Sequence, residues 1–147
     1  MMKIYLDTSL IKRPFDDQSQ PRIWLETAAL SLILQMAGDG QIAMVASYVH
    51  GFENSRNTLP PRKAWMDHCL AMAPERIELN PARVARAGDF EAKGLKALDA
   101  LHLACAESAG CDYFVTCDDG ILRSSPGAAP RIVGPEDLIR RLTRGEK

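Results

Sequence analysis

Four acidic residues stand where the sequence changes from strand-like to helix-like: Asp7, Glu53, Asp99 and Asp118. Asp7 follows the apolar run Ile4-Tyr5-Leu6, and Asp118 follows Phe114-Val115-Thr116-Cys117. Asp99 lies in the first turn of a helical segment otherwise rich in Leu and Ala, where the helix dipole favours its charge but unpaired burial is costly. Glu53 comes soon after a second apolar run, flanked by Val49 and Phe52. Carboxylates brought together repel one another, so such a group requires protons or hard cations to compensate it. An all-oxygen set without His or Cys selects Mg²⁺ or Mn²⁺ over zinc, and sites of that kind act on phosphate esters. Taken singly, each acid has an ordinary reading: Asp99 as a first-turn helix carboxylate, Glu53 as an exposed helical charge, Asp118 as a turn residue with Asp119 and Gly120.

The surrounding elements decide whether these residues meet. Ile4-Tyr5-Leu6 and Ile42-Ala43-Met44-Val45-Ala46 lack alternation, as strands buried on both faces do. Ser47 is a good N-cap for the helix carrying Glu53. Pro21, Pro60, Pro81 and Pro135 each open a helical segment, and Gly40 and Gly110 close two of them. Ile77-Glu78-Leu79 predicts a short strand, Tyr113 to Cys117 the clearest one, and Arg131-Ile132-Val133 the last. Leu98 to Ala109 is apolar on most sides and predicts a largely buried helix. Five strands alternating with helices imply an α/β fold, three layers deep, around a central parallel sheet. Ligands of such sheets bind at the carboxyl ends of the strands, where both Asp7 and Asp118 fall if their strands are neighbours. Trp24, Leu30, Leu34 and Met36 are expected in the core, on a helix whose apolar face is also suited to dimerisation.

At 147 residues and 46% hydrophobic content, residues 1–147 are expected to form one domain with its own core. A net charge of -1 gives no global attraction to polyanions, so RNA would be held by a local patch or through metal ions. Cys69, Cys105, Cys111 and Cys117 form no CxxC pair, and His50, His68 and His102 show no zinc spacing. The longest apolar stretch, Ala28 to Ala37, is well short of the ~20 residues a membrane span needs, and the start has no signal-peptide pattern. A cytoplasmic protein is expected.

The order Tyr5-Leu6-Asp7-Thr8-Ser9, then Glu53, then Leu98-Asp99-Ala100-Leu101-His102-Leu103-Ala104, then Val115-Thr116-Cys117-Asp118 resembles the PIN-domain nucleases, in particular the VapC-like toxins of toxin-antitoxin pairs. The resemblance runs through nearly the whole chain, including the closing Val133-Gly134-Pro135-Glu136-Asp137-Leu138. It implies that Asp7, Glu53, Asp99 and Asp118 are both catalytic residues and ligands of Mg²⁺ (or Mn²⁺), with Asp119 a rival for the fourth place. Ser9 fills the family's small polar slot, Thr116 positions the loop, and both are candidate substrate contacts. The implied activity is metal-assisted endoribonuclease hydrolysis leaving a 5′-phosphate and a 3′-hydroxyl. Lys12, Arg13, Lys93 and Lys96 are candidate contacts to the RNA backbone. The implied partners are an RNA substrate, a cognate antitoxin that covers the acidic crevice, and a second copy in a homodimer.

Two other classes compete. A PIN-like module that binds RNA or protein without cutting would lack an acidic ligand, whereas all four slots are filled. A phosphatase of the haloacid-dehalogenase type would carry a second aspartate that Asp7-Thr8-Ser9 lacks. His102, three residues past Asp99, reads as a hydrogen-bonded core histidine outside the site, and Arg140, Arg141 and Arg144 as a solvated helix end.

Overall fold

The computed structural model describes residues 1–145. Its elements run β1 (Lys3–Leu6), α1 (Thr8–Ile11), a 3₁₀ turn (Arg13–Phe15), α2 (Pro21–Gly38), β2 (Ala43–Ser47), α3 (Tyr48–Ser55), α4 (Pro60–Ala71), β3 (Glu75–Ile77), α5 (Pro81–Ala92), α6 (Ala97–Ser108), β4 (Tyr113–Val115), α7 (Asp119–Leu122), β5 (Arg131–Val133) and α8 (Pro135–Thr143). The five strands form one sheet in the order β3-β2-β1-β4-β5, every pairing parallel. Parallel neighbours require crossovers, and the helices that provide them cover both faces.

Side-chain alternation separates the two cores. Tyr5, Val45, Ile77 and Phe114 point to one face, where they meet Val49 of α3, Ala87 and Phe90 of α5 and the Ala/Leu/Cys side of α6. Ile4, Leu6, Met44, Tyr113, Val115 and Val133 point to the other, against Leu10 and Ile11, Leu30 and Ile33, Met66 and Cys69, and Leu138. This is the expected three-layer arrangement. All four cysteines are free and buried, and no helix among the described residues is long and apolar enough to cross a membrane.

The helix signals hold: proline occupies the first turn of α2, α4, α5 and α8, and Ser47 caps α3. Gly40 and Gly110, at φ +77° and +72°, take the left-handed conformation just past the ends of α2 and α6. Four expectations need correction. Strand β4 stops at Val115 rather than Cys117, where its pairing with Leu6 of β1 ends. Strand β2 is shifted one residue toward the C-terminus, to Ala43–Ser47. Strand β3 is Glu75–Ile77 rather than Ile77–Leu79, because pairing of Val45, Ala46 and Ser47 with Glu75, Arg76 and Ile77 sets its register. Trp24 is 60% exposed, since α2 turns Ile23, Glu26, Leu30 and Ile33 inward; Leu34 and Met36 are partly buried against the core.

Candidate active site

The parallel registers bring three polar residues to one edge. Leu6 pairs with Val115 and Tyr5 with Val45, so one step past the first pair and two past the second, Asp7 stands level with Thr116 on one side and Ser47 on the other. The Asp7 amide donates to the Val115 carbonyl at 2.8 Å. Behind it the Leu6 carbonyl accepts from His50 Nε2 at 2.7 Å. His50 Nδ1 accepts from the Ser47 amide at 3.1 Å, so Nε2 carries the ring hydrogen. Burial first, and the neighbouring His102 second, hold His50 down at about 3, so it is a neutral structural group at the end of β1.

Each candidate acid has its own surroundings. Asp7 is 3% exposed, and its Oδ2 accepts from the Ser9 hydroxyl at 2.7 Å and the Thr116 hydroxyl at 2.8 Å. Ser9 and Thr116, expected near the substrate, therefore touch the Asp7 carboxylate. Thr116 Oγ1 also accepts from the Asp118 amide at 3.0 Å, fixing the loop that leads out of β4. Asp118 caps α7, with Oδ1 accepting from the Ile121 amide at 3.0 Å. Glu53 Oε1 accepts from the Thr8 hydroxyl at 2.8 Å and is in contact with His102 Nε2. Burial raises the Glu53 carboxyl, but its bond to His102, the field of that ring and the Thr8 hydroxyl outweigh burial and leave it lowered.

Asp99 differs. It accepts no hydrogen bond from the described protein, and its carboxyl is pushed up to about 6, first by burial and then by the negative charges of Asp7 and Asp118, with a further contribution from Glu53. The four acids therefore sense one another across the crevice, and the cost of that crowding falls on Asp99.

Asp119, the rival to Asp118, faces the other way. Arg22 holds both its oxygens, at 2.8 and 2.9 Å, and that bidentate bond lowers its carboxyl. Arg22 also donates to the Cys117 carbonyl at 2.9 Å and to Glu26 at 3.2 Å. Arg13 is bound to Glu26 and Asp16 at 2.9 and 3.0 Å and lines neither cleft beside the acids.

Those clefts flank the group. One, of about 160 Å³, has Thr8 and Glu53 in its wall with Lys12, Arg62, Phe15 and Trp65. The other, of about 270 Å³, has Asp99 and Asp118 with Lys93, Lys96 and Arg123. Lys12, Lys93 and Lys96, singled out from the sequence, thus stand beside the acids. Arg62 and Arg123 do too, and nothing local in the sequence distinguishes them. Arg141 is engaged with Asp137 on its own helix.

A hard dication fits these donors in type and charge. Glu53 Oε2, Asp7 Oδ1, Asp118 Oδ2 and both oxygens of Asp99 accept no hydrogen bond from the described protein, and oxygens of this kind suit Mg²⁺ or Mn²⁺. The spacing is wider than a ligand set needs: among the described residues no three His, Cys, Asp or Glu side chains lie close enough together to hold an ion.

Sheet order, edge residues and flanking basic clefts together define an α/β protein with an acidic centre at the carboxyl ends of its middle strands. The family model described as "PIN domain" matches residues 4–125, and the chain belongs to the PIN-domain family, whose members are generally nucleases. Among solved structures it is similar to PAE2754 from Pyrobaculum aerophilum, with 17% identity and a TM-score of 0.58, covering 97% of this chain and 90% of that one. It is also similar to VapBC2 from Rickettsia felis bound to a promoter DNA fragment, at 14% identity and TM-score 0.58, and to FitAcB from Neisseria gonorrhoeae, at 20% and 0.55. Each of these covers 90% of this chain and 98% of the other. No curated protein matches the chain by sequence.

Proposed function

We infer that this chain is a divalent-metal-dependent endoribonuclease and the toxin of a toxin-antitoxin pair. The observation that carries the reading is Asp99, a half-buried carboxylate without a donor among the described residues, raised to about 6 by burial and by Asp7 and Asp118. A protein retains such a cluster at a cost in stability, and a bound cation offsets that cost.

Asp7, Asp99 and Asp118 would hold Mg²⁺ or Mn²⁺, with Glu53 completing the set through Oε2. When bound, the ion supplies Lewis-acid activation of a water and of the scissile phosphate. Ser9 and Thr116 keep Asp7 in one rotamer, so the central ligand is placed before the ion arrives. Lys12 and Arg62 on one side, and Lys93, Lys96 and Arg123 on the other, bind the phosphates flanking the cleaved one, which lets RNA approach an acidic centre despite the net charge of -1. The crevice then excludes a second anionic group unless it brings cations. That property suits control by a protein segment whose basic side chain enters between the acids, and VapBC2 and FitAcB support the expectation of a partner through their fold. A homodimer through the exposed Trp24, Leu25 and Leu32 of α2 is part of the same reading.

The test is cleavage of a structured RNA pool by protein freed of any copurified partner, with Mg²⁺ or Mn²⁺ added and EDTA as blank. Metal-dependent cutting that Asp7→Asn and Asp99→Asn both lack is the expected result. Folded parent protein that binds the pool and never cuts it would replace the nuclease reading with that of an RNA-binding module.

A further inference from the structure

A buried line of polar groups connects the sheet to Glu53. Ser47 Oγ and Tyr5 Oη are 2.6 Å apart, Tyr5 Oη and His102 Nδ1 are 2.6 Å apart, and His102 Nε2 meets Glu53 Oε1. Ser47 and Tyr5 are fully buried and His102 is 1% exposed. Water therefore cannot substitute for a missing partner, and an unmade bond here would leave a buried polar group unsatisfied.

For a neutral imidazole the direction of every bond in this line is forced. A carboxylate only accepts, so His102 Nε2 carries the hydrogen and Nδ1 is the acceptor. Tyr5 must then donate to Nδ1, and Ser47 must donate to the Tyr5 oxygen. Ser47 Oγ in turn accepts from the Val49 amide at 3.1 Å, at the start of α3. Helix α3, strand β1 and helix α6 thus meet in one directed chain that ends on a single oxygen of Glu53. Thr8 donates to the same oxygen.

We propose that Tyr5 and His102 are positioning residues for Glu53: Tyr5 holds the ring through Nδ1, and the ring commits Oε1 to protein donors and leaves Oε2 as the oxygen offered to a cation. This rests on the reading of the acidic crevice as a cation site. It makes Glu53 a one-oxygen ligand, and it ties that ligand to the hydroxyl of a residue in the middle of the sheet. Losing partners beyond the ligand shell weakens metal binding by roughly 10- to 100-fold, and Tyr5→Phe removes one hydroxyl while keeping the ring that stacks on Phe114 and His50.

Two measurements on metal-free protein test it. Long-range ¹H–¹⁵N spectra of the histidine rings at pH 7.5 should show His102 with its hydrogen on Nε2, and in Tyr5→Phe the Nδ1 resonance should move as that nitrogen loses its donor. An Nδ1–H or doubly protonated ring in the parent overturns the directed chain. Mn²⁺ titration followed by the electron paramagnetic resonance of the free ion should show affinity roughly tenfold weaker in Tyr5→Phe and His102→Ala, and partly restored in His102→Gln, whose amide can still donate to Glu53. A parent that binds Mn²⁺ while all folded variants bind it equally well overturns the positioning role alone. A parent that binds no Mn²⁺ overturns the cation site and this role with it. Should Tyr5→Phe fail to fold, His102→Gln against His102→Ala decides the same question.

Discussion

Two groups of acidic side chains lie around the end of β4, and they balance their charge in opposite ways. In one, Glu26 is 2% exposed and is bound by both Arg13 and Arg22, and Arg22 continues to Asp119. Every carboxylate there has a guanidinium partner. In the other, Asp7 is nearly as buried, but among the described residues it is held by the hydroxyls of Ser9 and Thr116 and by no cation, and Asp99 has no donor among them. Asp118 and Asp119 are adjacent in the chain and fall on opposite sides of this divide. The difference separates acids that stabilise the fold by themselves from acids that await a ligand: a buried carboxylate with an arginine is complete, whereas one surrounded by other carboxylates is not.

The comparison breaks most visibly through Asp7→Asn. The amide oxygen can still accept from Ser9 and Thr116, so the fold should persist while Mn²⁺-dependent RNA cleavage falls by about 100-fold or more, as expected when a ligand worth several kcal/mol to the transition state is lost. Glu26→Ala should do the reverse. It strands Arg13 and Arg22 beside an empty buried position and should lower stability by about 3 kcal/mol in chemical denaturation, with Mn²⁺ affinity unchanged in the folded protein.

The neighbouring aspartates sharpen the contrast. Asp118→Asn should reduce cleavage strongly, whereas Asp119→Asn should leave it within about fivefold of the parent, the range spanned by an exposed ion pair. Equal loss from both would mean that Arg22 positions the fourth ligand. The smallest effect belongs to Asp99 in metal-free protein. Its carboxyl is raised from the ordinary range to about 6, so between roughly pH 4 and 6 the native state binds more protons than the unfolded chain and stability declines as pH rises. Asp99→Asn should therefore raise the melting temperature at pH 7.5 in EDTA, with a gain of at most about 1 kcal/mol after solvent screening, and the gain should vanish near pH 4. A variant no more stable than the parent at pH 7.5 would show that the crowding is already relieved.

Much of the frame was legible because burial on both faces leaves a continuous apolar signature, as in Ile4-Tyr5-Leu6 and Phe114-Val115, and because prolines and glycines mark helix ends. Asp7 and Asp118 were legible as strand-end acids, but that their strands are neighbours came from the β1–β4 pairing. Trp24 was misread for a physical reason: α2 is apolar around most of its circumference, and the side that faces inward includes the charged Glu26, whose partner Arg13 comes from a separate turn. Likewise the ends of β3 depend on pairing with β2, and Glu75 is held by Lys3 of β1. His102 is a core histidine as its apolar helix suggested, yet it touches Glu53, 49 positions away in the chain. No local pattern carries that contact. Lone histidines on apolar helices beside an acid-bearing segment repay inspection of what their second nitrogen reaches.

The pairing of β1 with β4 has a consequence for the order in which the protein comes into being. Asp7 is made well before the groups that fix its backbone and carboxylate, the Val115 carbonyl and, 109 positions further along the chain, the Thr116 hydroxyl. A chain still attached to the ribosome and lacking β4 has Asp7, Glu53 and Asp99 without the strand that aligns the first of them. The long-range contact that closes the sheet is also the slow one to form. The acidic centre is therefore aligned only once β4 has been made and has joined β1.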